Sequence, residues 1–293
     1  MNRMVALLGA LLLGCSPAEP PHTPVVVYAA VEDGERLAVM LEKFTDATEI
    51  PVDIRSGTAV EHVDAMIAKI GDPADVVIAH DLVEIWRAAD RGALRPIRSA
   101  ALGHHHESPR DPDLLWFVHE IRPIAVARKA NASPRMVGLE ELGSPAFENR
   151  LCLSSSALVD NRVLLANLIE RHGEQQAERL VRRWVRNLAE PPFADEASLR
   201  AAIQSGACDY GIVSNPHTVF GDWDKVPAPR AYAATAVGIG RHAVNSDAAQ
   251  ALADWMLRNA SVRIPSYAAL PNASIAGWRD EEARLLAERA GYR

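Results

Sequence analysis

Nothing in this sequence is apolar for long enough to cross a bilayer as a mature helix, which takes roughly 20 residues. The run Val5 to Leu13 stops well short, and no later segment comes closer. Basic residues are scarce too: 31 Lys and Arg stand against 38 Asp and Glu, for a formal net charge of −7. This mildly acidic balance argues against nucleic acid as a partner. Catalytic signatures are missing: there is no G-x-S-x-G elbow and no H-E-x-x-H pair. An exported hydrolase would have to draw its nucleophile from Ser154–Ser156, and nothing places a histidine beside them. Val237-Gly238-Ile239-Gly240 lacks the third glycine of a dinucleotide fingerprint. Short-period repeats are absent, and cysteine occurs only at positions 15, 152 and 208.

The N-terminus carries an export signal. Arg3 supplies the positive charge, Val5–Leu13 the apolar core, and Leu12-Leu13-Gly14-Cys15 a cut site of small residues. The last four residues resemble the lipobox of bacterial lipoproteins. That implies a signal peptide over 1–14, lipidation of Cys15 and a membrane anchor made only of lipid; the alternative is an ordinary secretory signal that contains a cysteine. Losing Arg3 takes the net charge from −7 to −8. Residues 15–24, with Pro17, Pro20, Pro21 and Pro24, form a stiff, solvated tether. In an oxidising compartment, Cys152 and Cys208 make either one disulfide or two buried free thiols.

From Val25 onward, strand and helix patterns alternate. Val25–Ala29, Pro51–Ile54 and Ala74–Ala79 read as strands. Helices carry Leu37, Met40, Leu41 and Phe44, then Val60, Val63, Ile67 and Ile70, then Leu82, Ile85, Trp86 and Ala89. After a polar break over 98–113, the alternation resumes with Ile124–Ala127, Leu151–Leu153, helices over 161–171, 177–188 and 196–204, and a strand at 209–213. A strand at 236–240, a helix over 247–257 and an amphipathic helix over 280–290 close the chain. This predicts an α/β protein with mainly parallel sheets. Two crossings, near 118–123 and 230–238, join two lobes: 25–120, to which 236–270 returns, and 121–235. Residues 271–293 form a C-terminal helix. The cleft between two such lobes is a natural site for a small molecule. His104-His105-His106-Glu107 is either a solvated loop or a metal cluster, and adjacent ligands rarely close a site. Trp86 and Trp184 lie on apolar helix faces and belong to the core; Trp116 either joins them or lines the cleft.

Several stretches, taken in order, carry a resemblance: Pro73–Ile78, Ile85–Leu94, Arg110-Asp111-Pro112, Trp116-Phe117, Cys152–Ser156, His172-Gly173-Glu174, Gly206–Asp209 and Arg241–Asn245. The chain is similar to the ferric-ion-binding branch of periplasmic solute-binding proteins. The resemblance implies a type II fold, two α/β lobes hinged by two strands, and a monomer that hands its solute to an ABC-type permease without turnover or cofactor. Family members that bind iron present adjacent tyrosines after a strand of the second lobe. The matching stretch here, Val213–Phe220, has none; His217 and Thr218 stand at those positions. Glu32, in the first-strand loop, and His217 make a poor ferric cage. The resemblance leaves the anion half of the site. Ser154, Ser155 and Ser156 offer hydroxyls and amides at a helix start, Asn161 and Asn215 add donors, and Thr58 either donates to the solute or caps a helix. Arg122 either neutralises a phosphate or carboxylate or forms an interlobe ion pair with Glu120 or Asp81, and Asp81 is itself a candidate contact. The expected solute is a small phosphate- or carboxylate-bearing anion. Ferric binding through non-tyrosine ligands, a solute-sensing lipoprotein and the hydrolase remain as alternatives.

Overall fold

A computed structural model describes residues 23–30, 34–100, 102, 109–129, 137–214, 231–259 and 272–293. The first third alternates as β1 (Val25–Ala30), α1 (Gly34–Thr48), β2 (Val52–Gly57), α2 (Ala59–Ala68), β3 (Val76–Ala79) and α3 (Leu82–Asp90). The causes are local. β3 is four β-branched or small residues, all buried, while α1 buries one stripe, Leu37, Leu41 and Phe44. Thr58 and Glu61 start α2 with a reciprocal capping box. The Asp81 carboxylate caps α3 by accepting the Glu84 N–H at 2.6 Å.

β4 (Leu94–Arg95) and β5 (Trp116–Arg128) follow, then β6 (Leu151–Cys152), α4 (Val159–His172), α5 (Glu174–Arg186), α6 (Glu196–Ser205) and β7 (Tyr210–Ser214). β8 (Tyr232–Gly240), α7 (Ser246–Arg258), α8 (Ile275–Trp278) and α9 (Asp280–Ala290) complete the described chain. The strand order is β2-β1-β3-β8-β5-β7-β6, with β4 also on β8.

The sheet is mixed, which corrects the expectation of mainly parallel pairing. β1 pairs β2 and β3 in parallel, and β6 pairs β7 in parallel. The ladders that involve β5 or β8 are antiparallel. The reason is the hinge: β5 leaves the first lobe, β8 returns to it, and each runs against the strands it meets. Both are longer than their apolar patterns predict. β5 is one strand of 13 residues that pairs with β8 over Trp116–Pro123 and with β7 over Ile124–Arg128. Every residue of β8 is buried, so alanine and glycine dominate it. A Cβ on Gly240 would sit 2.1 Å from the Ala74 carbonyl oxygen, so only glycine fits.

One core layer, with Leu41, Phe44, Leu252 and Met256, covers one face of the first lobe's sheet. A larger core runs from Leu82 and Ile85 on the other face through Trp116 to Leu164, Leu168 and Trp184 of the second lobe. Trp116 is fully buried and does not line the cleft. The short helix α8 packs against both α3 and α4, and α9 lies on α4 and α5. The segment after residue 271 is thus two helices, not one. Cys152 and Cys208 form a disulfide with their Cα atoms 5.9 Å apart, in a small cluster with Ala127, Leu199 and Ile203. Among the described residues no helix is long and apolar enough to cross a membrane.

Candidate solute-binding cleft

Strand register brings the carboxyl ends of strands from both lobes to one level. Ala79, ending β3, lies opposite Ala236 of β8. Ser214, ending β7, lies opposite Ile124 of β5. Between these two points β5 and β8 pair with each other, Glu120 with Thr235 through Pro123 with Tyr232. β1 and β2 run parallel to β3, and β6 runs parallel to β7, so their carboxyl ends meet the same crossing. Ligands of open α/β sheets bind beyond such ends. The segments that follow these strands include Thr58, His80-Asp81 and Ser154–Ser156. Glu32, Asn215 and His217 lie outside the described residues, as do Cys15 and His104–His106.

Arg122 occupies the centre of this level and is buried. Its guanidinium donates to Thr235 Oγ1 on the other hinge strand at 3.0 Å and to the His80 carbonyl of the first lobe at 2.7 Å. Asp160, in the first turn of α4 in the second lobe, lies 3.8 Å away. The anticipated ion-pair partners are corrected. Glu120 instead takes a bidentate pair from Arg36 at 2.8 and 2.6 Å. Asp81 faces inward as a helix cap. A β-bulge between Val118 and Glu120 explains part of this, because the extra residue, His119, turns the following side chains.

Burial pushes the Asp81 carboxyl up to about 6; the Glu84 and Asp160 charges add to this, while the Glu84 N–H and Arg162 oppose it. A carboxyl raised above its unfolded value of 3.8 binds more protons in the native state between about pH 4 and 6. Its contribution to stability therefore falls as pH rises through that window. Asp81→Asn keeps a capping oxygen and removes the charge. Urea unfolding should show the variant more stable than the parent at pH 7.5, with the advantage fading by pH 4.5. Equal pH dependence in the two proteins would contradict the assignment.

The serine segment is tied down from within. Asn161 Nδ2 donates to the Ser154 carbonyl, to Ser154 Oγ at 3.0 Å and to the Ser155 carbonyl at 2.8 Å. The Ser156 hydroxyl donates to the Tyr292 carbonyl at 3.0 Å, and the Tyr292 phenol donates to the Ser154 carbonyl at 2.6 Å. Burial holds that phenol above its ordinary range, so it stays a neutral donor. Ser154 and Asn161 are buried, and they set the loop's shape. Ser155 is half-buried, and its oxygen accepts the Ala157 N–H at 3.2 Å, which leaves its own proton to donate. Thr58 is exposed and engaged with Glu61 at 2.9 Å.

Beside the hinge opens a cavity of about 860 Å³, lined among others by Arg36, Lys43, His119, Glu120 and Thr235. That is ample for a small organic anion. Sequence reasoning did not single out Arg36, His119 or Thr235, which line this cavity. No motif marks them, and Arg36 meets Glu120 across 84 positions. Among the described residues no group of three His, Cys, Asp or Glu is placed to hold a metal.

Comparison with solved structures decides the fold. Residues covering 92% of this chain superpose on 99% of a Trichodesmium protein, IdiA (FutA), solved with iron and citrate ligands, at a TM-score of 0.77 and 22% identity. The apo ferric ion-binding protein A of Pasteurella haemolytica gives 0.78 at 18% identity, covering 91% of this chain and 98% of that one. The fold is that of the periplasmic ferric-binding proteins. In that type II fold β5 and β8 are the hinge strands and the Arg122 level is the floor between the lobes. In sequence, the chain is 30% identical to iron uptake protein A1 of Synechocystis over 176 residues, 59% of this chain and 49% of that protein. It thus spans about half the length of the curated relatives it matches. No family model matches.

Proposed function

We propose that the chain is an extracytoplasmic solute-binding protein of an ABC-type uptake system, and that it captures ferric iron as a small anionic chelate. The observation that carries this reading is the convergence of strand carboxyl ends from both lobes on one hinge level. Iron enters through likeness to a protein named for iron uptake and to one solved with iron and citrate. The form of the iron follows from this chain's own residues. Val213–Phe220 contains no tyrosine, so the chain lacks the phenolate pair there that would grip a bare ferric ion. A carboxylate chelator can bring the hard oxygen ligands itself. Lys43, which lines the cavity beside the hinge, then meets its remaining negative charge, and the Ser155 hydroxyl offers a further donor. Glu32, Asn215 and His217 are further contacts to the solute in this reading. The lobes close over the complex about β5 and β8, and the closed surface is what a permease recognises. Cys15 anchors the receptor by lipid, and no covalent chemistry is performed on the solute.

Calorimetric titration with ferric citrate, with citrate alone and with ferric nitrilotriacetate tests this. Saturable binding of ferric citrate, stronger than citrate by about tenfold or more and without a phenolate-to-iron colour band, is the expected result. Equal affinity for citrate with and without iron would favour a plain carboxylate receptor, the reading supported by the missing tyrosines alone. Failure of all three to bind would remove the proposal.

A further inference from the structure

Outside the cleft, α5 carries Arg179, Arg182, Arg183 and Arg186 at helical spacing, so all four share one face. All four are exposed. With Val185 and Ala290 they line a cavity of about 340 Å³ between α5 and the end of α9. The helix's two glutamates are already taken. Glu178 pairs with Arg182 at 2.8 Å and with Arg289 at 2.9 Å, and Glu174 pairs with Arg289. Arg179, Arg183 and Arg186 have no acidic partner among the described residues. Arg183 is also held in place: its stem lies over Gly143, where an added Cβ would come within 2.9 Å of Nε.

A helix C-terminus favours cations, which accounts for Arg183 and Arg186 in the last turn of α5. It accounts neither for Arg179 in mid-helix nor for a concave arrangement of like charges. In a chain of net charge −7 this is a local reversal of sign. We propose that the α5–α9 pocket is a second anion site, which takes a phosphate-bearing group. Planar guanidinium forks match phosphate oxygens two at a time. The volume exceeds that of a bare phosphate, and the Val185 and Ala290 methyl groups offer a small apolar floor. A phosphate ester therefore fits best, either a free metabolite or a lipid headgroup. The site depends on nothing in the cleft.

The test uses the full chain and two kinds of probe. Glycerol 3-phosphate and pyrophosphate are titrated calorimetrically, and vesicles of phosphatidylglycerol are compared with vesicles of phosphatidylcholine by co-sedimentation. Binding of either phosphate source should weaken with added salt and fall about tenfold or more in R179Q/R183Q/R186Q. The charge-matched control R91Q/R241Q/R258Q, altered at other exposed positions, should bind as the parent does. Response to the soluble esters alone assigns a metabolite, and response to the vesicles assigns a headgroup. The proposal is overturned if no probe binds, if the α5 triple variant binds like the parent, or if both triple variants weaken binding equally. Ferric citrate titration of the same variants should be unchanged.

Discussion

Arg122→Ala is expected to lower stability by about 3–5 kcal/mol, the range for removing one member of a buried charge cluster, and to weaken solute binding by about tenfold or more. The side chain is buried where the two hinge strands and both lobes meet. Its loss strips the Thr235 hydroxyl and the His80 carbonyl of a charged donor. It also removes the cation nearest Asp160, a residue that already faces the Asp81 carboxyl. The remaining acidic pair, Asp81 and Asp160, then has only the Arg162 charge beside it to offset the repulsion. Arg122→Lys keeps the charge but not the planar fork that reaches two partners at once, so it should fall between parent and alanine. Urea unfolding and ferric citrate titration measure the two effects. An alanine variant within about 1 kcal/mol of the parent would mean that the hinge does not depend on this contact.

Loss of the Cys152–Cys208 bond should have an effect of similar size. It joins positions 56 residues apart, and the chain-entropy model assigns a loop of that length about 4 kcal/mol. It also fastens β6, which leads into the serine segment, to the turn before β7. Reduction, or Cys152→Ala with Cys208→Ala, should therefore destabilise the second lobe and weaken solute binding through the displaced Ser154–Ser156 loop. Intact mass with and without reductant decides first whether the pair is bonded in the isolated protein. Identical unfolding curves for oxidised and reduced protein would show that the bridge carries none of the lobe's stability.

The alternation that makes the first lobe was legible because its signals are local. A buried run such as Val76–Ala79, an apolar stripe such as Leu37, Leu41 and Phe44, and a capping pair such as Thr58 and Glu61 each act within a few residues. The hinge was legible in position but not in length, since Glu120, Arg122 and Pro123 interrupt the apolar pattern of β5 while its pairing continues through them. β4 and α8 were not legible, because two to four residues carry no period. Partner choice was the least accessible. Arg122 stands on the crossing in sequence, yet only the folded register turns it to Thr235, the His80 carbonyl and Asp160 and leaves Glu120 to Arg36. The serine segment was found as a loop before a helix; the distant Tyr292 that pins it sends no signal along the chain.

Native mass spectrometry of the protein taken from its own host tests the capture of an iron chelate between the lobes most directly. The account predicts a complex without a phenolate-to-iron colour band, heavier than the bare chain by one ferric ion together with a carboxylate-bearing molecule, both lost together when Arg122 is replaced by alanine. A protein carrying iron alone with a phenolate-to-iron band, or an added mass that survives that replacement undiminished, would contradict it.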